Sequence, residues 1–450
     1  MASLLLLVRN LVIARLLPIE DYGIAATFTI VMTMVEMASS FGLQQQIVQA
    51  KDGNDRHFQA ALQGFQVLRG FIASIFLFLT ANLIASFLGI PEVAWAYQVL
   101  ALVPIIKAFE HFDIYRLNRQ MKFWPMILTG SIPACLSLLT VWPLVAWLGD
   151  WRVMVYVILA QISLTVFTSH LCSKRPYRLT FDRAVMARSL KFGWPIMVTS
   201  VFLFFAFQGD KVIVGRVLGM EALAIFAMGI TLTQTPILVL EKSAQNFFLP
   251  QLSENPQHTH KSFQHMAIVA CEAHILLGAA FACFIAIFDE LIVSVVLGSK
   301  FVELIPIFSA LAVLHSLRAL KGGPSVLALA QGQNENTLAA NTTRVLFLPI
   351  GYMVATRTGQ LEYIVAIAIF GEVLGLLIAL FLMRQRSSVS LRALFVPVVI
   401  SFLLFTVAIF SSYTSFAWAL WIVMFTLLLA MFFSMKDLRL YLQNRGIINV

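Results

Sequence analysis

Apolar residues run along this chain in long blocks, separated by short polar or basic connectors. A helix needs about 20 predominantly apolar residues to cross a bilayer core. Fourteen blocks approach that length: 1–17, 22–43, 67–89, 93–116, 124–147, 152–173, 190–215, 221–241, 264–288, 302–331, 338–356, 361–383, 392–411 and 414–434. Strands of a membrane β-barrel are short and alternate in polarity, so these blocks predict an all-α polytopic membrane protein of about 14 transmembrane helices. Composition agrees: 60% of the residues are hydrophobic and 12% charged, where soluble domains carry about 25% charged residues.

The blocks repeat. Ala14–Ala26 (ARLLPIEDYGIAA) matches Gly215–Ala227 (GRVLGMEALAIFA) at a displacement of 201, with Arg15, Leu17, Glu20, Ile24 and Ala26 opposite Arg216, Leu218, Glu221, Ile225 and Ala227. A second pair follows in the same order, Leu83–Gly89 against Leu291–Gly298, displaced by 208–209 with one inserted residue. The pattern predicts a duplication: a six-helix lobe over 1–180, a second over 181–383 in the same orientation, and two further helices with a basic tail over 384–450. The basic connector Lys174–Lys191 falls at the joint. Membrane proteins built from two equivalent halves are usually transporters.

Charge orients the blocks. With a cytoplasmic N-terminus, eighteen basic residues fall on inner connectors and the C-terminus, from Lys51 and Arg56 to Arg439 and Arg445, against five outside: Arg15, Arg152, Arg216, Lys300 and Arg357. That asymmetry predicts both termini in the cytoplasm, with the net charge of +9 serving to hold anionic lipid headgroups. The basic residues lack the aromatic interleaving of a nucleic-acid surface, so no nucleic acid is expected as a partner. Cys135, Cys172, Cys271 and Cys283 sit singly in apolar blocks and read as packing residues, neither disulfide nor metal ligands. The segment 1–17 lacks the small-residue cleavage site of a signal peptide. No phosphate loop, HExxH or GxSxG motif occurs, and outer connectors are short. No cofactor, no metal and no enzymatic activity are therefore expected.

Candidate chemistry lies in charges inside the blocks, since each costs at least ~2.5–3.5 kcal/mol near the bilayer centre. Span 4 carries Lys107, Glu110, His111 and Asp113. Spacing by three lets neighbours touch along one helix, so a self-neutralising Lys107–Glu110 pair stands beside a functional role. Span 10 carries His315, Arg318 and Lys321 before Gly322-Gly323-Pro324. One reading places all three mid-membrane, where the break frees backbone groups that must line a cavity; the other splits the block and leaves Arg318 and Lys321 at a cytoplasmic helix end. Arg9, Glu36, Arg69, Asp210, Lys211, Glu272, His274, Arg344 and Glu372 are further intramembrane charges. Of these, Arg69 is read as snorkelling to the interface. Gln44–Gln46 and Gln245-Asn246 match at 201 and read either as a polar inner mouth or as helix-end polarity.

In ARLLPIEDYG (Ala14–Gly23), the Gly42-Leu43 ending of span 2, GDKVIVGRVLG (Gly209–Gly219) and LIVSVVLGSKF (Leu291–Phe301), the chain resembles the polysaccharide-transporter (O-antigen flippase, Wzx-type) family. That family belongs to the multidrug/oligosaccharidyl-lipid/polysaccharide (MOP) superfamily, with the multidrug extruders and the lipid II flippase. The resemblance covers essentially the whole chain. It implies twelve to fourteen spans in two lobes, alternating access around a cationic cavity, and coupling to ion gradients in a bacterial inner membrane. The implied cargo is an undecaprenyl-pyrophosphate-linked oligosaccharide for O-antigen, capsule or exopolysaccharide. A polysaccharide polymerase and a chain-length regulator are the candidate partners besides membrane lipids, and a monomer is expected. The resemblance also implies a longer lead before the ARLL motif, so a shortened first span is expected here.

An anionic pyrophosphate headgroup needs basic residues along a wet path. Position makes Arg9, Lys107, His315, Arg318, Lys321 and Arg344 the candidates for headgroup binding, and Glu36, Asp113 and Asp210 those for ion coupling, because burial raises a carboxylate's proton affinity. A drug extruder of the same superfamily would favour acidic lumen groups, against the basic excess of span 10. A membrane-embedded polymerase or ligase would want a large outer loop.

Overall fold

A computed structural model describes residues 2–253, 260–387, 389–414 and 417–445. The chain is helical, and among the described residues there is no strand. Two compact units divide it, residues 1–224 and 225–450. The first holds α1 (Ala2–Leu16), α2 (Ile19–Ala38), α3 (Leu43–Gln49), α4 (Arg56–Leu88), α5 (Ala94–Leu100), α6 (Leu102–Ala108), α7 (Asp113–Arg119), α8 (Trp124–Leu148), α9 (Arg152–Leu171) and α10 (Arg183–Leu218). The second takes most of α11 (Met220–Ser253), then α12 (His260–Ile292), α13 (Ile305–Ala330), α14 (Asn334–Thr358), α15 (Leu361–Ser387), α16 (Arg392–Ser411), α17 (Ala417–Ser434) and α18 (Lys436–Asn444). The last residues of the basic tail, 446–450, lie outside the described residues.

Ten helices are long and apolar enough to cross a membrane, and up to thirteen spans result if each of three bent pairs counts as one, among the described residues. The fourteenth predicted block is α1. It is described over 15 residues, Ala2–Leu16. The outer face of α4 shows what solvent these helices meet: Phe76, Leu79 and Leu83 are 62%, 73% and 70% exposed on a surface that only lipid would cover without cost. The protein is a multi-pass membrane protein.

Within unit 1, α1 packs on α8, α8 on α9, α4 on α5 and α6, and α10 on α2 and α4. Span 4 is broken. α6 ends at Ala108, α7 starts at Asp113, and the chain turns by 51° between them. Within unit 2, α13 is the central element, packed on α12, α14, α15 and α16. It runs unbroken through Gly322-Gly323-Pro324, which corrects the expected interruption. The two glycines serve close packing instead. A Cβ at Gly322 would stand 2.3 Å from the His274 ring, and one at Gly323 2.6 Å from Cys271 Cα. Small residues at such contacts let two helix backbones approach.

The repeated stretches occupy equivalent local structures. Ala14–Ala26 is the end of α1 and the start of α2, with Pro18 at the junction and Glu20 and Asp21 in the first turn, where the helix dipole favours acids. Gly215–Ala227 is the end of α10 and the start of α11, with Glu221 in the same place. The residue inserted in the second anchor also has a structural counterpart. α4 stays α-helical to Leu88, but Val293–Leu297 forms a π-helical turn. An i→i+5 ladder takes up one extra residue per turn without breaking the helix.

Candidate functional site

The bend in span 4 disperses the charges that a straight helix would have aligned. Lys107, at the end of α6, pairs with Glu36 near the end of α2. Glu110 instead accepts a hydrogen bond from the Tyr115 hydroxyl at 2.9 Å. The expected Lys107–Glu110 pairing is therefore replaced by a longer-range one. Asp113 is fully buried and uses both oxygens: Oδ1 accepts from Arg116 Nε at 2.5 Å, and Oδ2 from the Lys174 and Arg175 amides at 2.8 and 3.3 Å. Its Nδ1 accepting from the Asp113 amide at 3.1 Å, His111 completes this knot.

The Glu36–Lys107 pair stands in the wall of a cavity of about 140 Å³ inside unit 1. Arg69, Ser39, Gln161 and Pro104 share that wall. Arg69, partly buried, donates to the Ser39 carbonyl at 2.7 Å. Arg9 is buried among α1, α8 and α9, where it donates to Gln161 and reaches Ser137 Oγ at 3.5 Å. Gln161 thus links Arg9 to the cavity wall. Asp210 is buried in α10.

In unit 2 the predicted cations converge. Glu372, from the middle of α15, accepts from Arg318 Nε at 2.7 Å and Arg344 NH1 at 2.8 Å through Oε1, and its Oε2 forms an ion pair with Lys321 Nζ at 2.5 Å. Arg318 and Lys321 lie one turn apart on α13, and Arg344 lies midway along α14. All four side chains are 10% exposed or less. Lys321 also donates to Asn341 Oδ1 at 3.0 Å, and His315 Nδ1 lies 3.3 Å from Arg318 NH1. The helix is not broken and Arg318 and Lys321 are not at its end: the cations lie mid-helix, around one carboxylate. Glu241 on α11 lies within Coulombic reach of Lys321 and Glu372, and its Oε1 is buried without a hydrogen-bond partner. Three cations thus share Glu372, with Glu241 nearby.

Sequence reasoning named Glu372 only as one of several intramembrane charges and passed over Glu241, Asn341 and Gln161. The signal for Glu372 was present: a lone acid mid-block needs a buried partner, and the unmatched cations were two blocks away.

Fold and charge together define a polytopic transporter-like membrane protein. The family model described as "polysaccharide biosynthesis protein" matches residues 12–306, and the chain belongs to that family. It is 21% identical to the lipopolysaccharide biosynthesis protein WzxC of Escherichia coli K12, over 76% of this chain and 70% of that one. It is 20% identical to the teichuronic acid biosynthesis protein TuaB of Bacillus subtilis, over 82% and 76% of the two chains. Among solved structures, the lipid II flippase MurJ in an inward closed conformation covers 98% of this chain and 97% of its own, with a TM-score of 0.68 at 15% identity. An inward-facing multidrug resistance MATE transporter of the MOP superfamily covers 86% and 95%, with a TM-score of 0.70 at 16% identity. The chain thus has the fold of that superfamily, as its motifs imply.

Proposed function

We propose that the protein is a flippase. It moves an undecaprenyl-pyrophosphate-linked oligosaccharide from the cytoplasmic to the outer leaflet of a bacterial inner membrane, by alternating access, during surface polysaccharide synthesis. The observation that carries this reading is the cluster around Glu372. Burying each charge is costly, and three cations gathered mid-helix around one carboxylate suit a protein that must meet an anion. A cationic drug would be repelled there, which weighs against the extruder.

Lys107 and Arg69 supply positive charge at the unit 1 cavity, with Arg9 behind them. Arg318, Lys321 and Arg344, with His315 orienting Arg318, supply it in unit 2. Arg and Lys suit phosphate as fork and point charge. Glu36 and Glu241 are carboxylates whose protonation would release or weaken nearby cations, which makes them, with Asp210, the candidates for ion coupling. Asp113 is assigned to holding the α9–α10 connector. Both relatives are named for the biosynthesis of an anionic envelope polymer or lipopolysaccharide, and this reading places the chain in transport, without chemistry on the cargo. A polymerase and a chain-length regulator would act on what it delivers. The basic asymmetry supports cytoplasmic termini.

The test is to delete the protein and determine on which membrane face the lipid-linked oligosaccharide accumulates. Build-up on the cytoplasmic face is expected. Unpolymerised units on the outer face would refute transport and favour a polymerase.

A further inference from the structure

A second group of cations in unit 1 surrounds a shallow cleft that the proposed transport path does not use. Arg56 opens α4, while Arg175 and Arg178 lie on the connector between α9 and α10; with Gln59, Ala60, Gln63 and Pro176 they line the cleft. Arg175 donates to Gln59 Oε1 at 3.0 Å and to the Asn54 carbonyl at 2.9 Å, both neutral acceptors. Neighbouring arginines do find carboxylates: Arg116 pairs with Asp113 and Arg188 with Asp52. Among the described residues none of the three cleft arginines does. Three like charges around one cleft create a field that draws in an anion.

The connector is held in place. Asp113 receives the amides of Lys174 and Arg175, His111 Nε2 meets the Arg175 carbonyl at 2.9 Å, and Gln63 Nε2 donates to the Arg178 carbonyl at 2.8 Å. The Thr180 amide donates to the Ala60 carbonyl at 3.1 Å. Gly64 makes this approach possible, because a Cβ there would stand 2.2 Å from the Thr180 carbonyl oxygen. Gln59 and Gln63, both buried, line the cleft beneath the arginines. The guanidinium groups therefore start from a fixed backbone, and a ligand would not bear the cost of ordering it. Guanidinium forks match the paired oxygens of a phosphoryl group better than any single point charge. From here α4 leads inward past buried Gln66 to Arg69 and Gly70 in the cavity wall, about 15 Å from Gln59 at 1.5 Å per residue.

We infer that the Arg56–Arg175–Arg178 cleft is a phosphoryl-binding site that receives the pyrophosphate of the cargo headgroup before it enters the cavity. This inference rests on the flippase reading and adds an earlier stop to it.

The experiment titrates inorganic pyrophosphate into the full chain in neutral detergent, comparing the natural protein with Arg56→Gln/Arg178→Gln. Among the described residues neither side chain makes a hydrogen bond, so the double variant should keep its melting temperature. Pyrophosphate affinity should fall at least tenfold, while Arg188→Gln should leave it unchanged. Affinity within twofold of the natural protein in the double variant would overturn the site. In nanodiscs, displacement of pyrophosphate by phosphatidylglycerol would identify a membrane lipid as the occupant and overturn the assignment to cargo; retention supports it. Failure of the flippase reading shows separately, as absent translocation by the natural protein, and leaves this titration readable.

Discussion

The two units treat buried charge in different ways. In unit 1 one lysine meets one carboxylate at the wall of a cavity, and the Glu36 side chain keeps 59% of its surface exposed. In unit 2 three cations close over Glu372, which is 2% exposed. The first arrangement borders a cavity, so its partners can be exchanged at lower cost. The second cannot: its members are in low dielectric, where an ion without its partner is far more costly than the pair. Two arrangements built from the same residue types thus differ in how readily they can respond to an entering anion. Unit 1 holds the more accessible pair, and unit 2 the buried cluster.

Removing the central acid should separate them most. Glu372→Ala leaves Arg318, Lys321 and Arg344 buried without their shared partner, and should destabilise the protein by about 3–5 kcal/mol. Glu36→Gln should cost about 1 kcal/mol or less, as exposed pairs do. Thermal unfolding in detergent reads both, and equal losses would erase the distinction. Next in size is packing at the centre of unit 2. Gly322→Ala drives a methyl group against the His274 ring and should cost about 1–3 kcal/mol; a variant as stable as the natural protein would show that α12 and α13 have slack.

Transport sharpens the contrast from the other side. Lys107→Met should reduce cargo movement at least tenfold while leaving membrane abundance and melting temperature nearly unchanged, because its partner Glu36 borders the cavity. A matching loss of abundance would make Lys107 structural, like the cluster in unit 2. The smallest effect concerns Arg188, which holds the Asp52 carboxylate with two bonds of 2.6 and 2.9 Å and keeps it below the usual carboxylate range. A depressed carboxylate stabilises the fold above its unfolded pKa of about 3.9 and loses that contribution as pH falls through the lower folded value. Both partners are at least two fifths exposed, so Arg188→Gln should cost no more than about 1 kcal/mol at neutral pH. Its melting curve should converge on that of the natural protein in acid.

Helical blocks were legible because each is apolar over a bilayer's thickness and bounded by polar residues; 392–411 coincides with α16. The bend after Ala108 was not legible. Phe109 to Phe112 carries neither Gly nor Pro; where the helix ends, Asp113 and His111 bind the connector. At Gly322–Pro324 the opposite happened: residues that usually interrupt a helix were retained because α12 packs against them. Positions of the charges could be read from the sequence, but their partners could not. Periodicity reports which face a residue occupies, whereas Lys107–Glu36 and Arg344–Glu372 join helices through tertiary packing.

The claim that these cations serve an anionic, lipid-linked cargo is tested most directly in proteoliposomes. The protein would be offered a pyrophosphate-linked oligosaccharide and, separately, a cationic amphiphile, with appearance of each on the opposite side followed over time. The account predicts movement of the lipid-linked oligosaccharide and none of the cation above protein-free vesicles. Movement of the cation, with the oligosaccharide left behind, would contradict it.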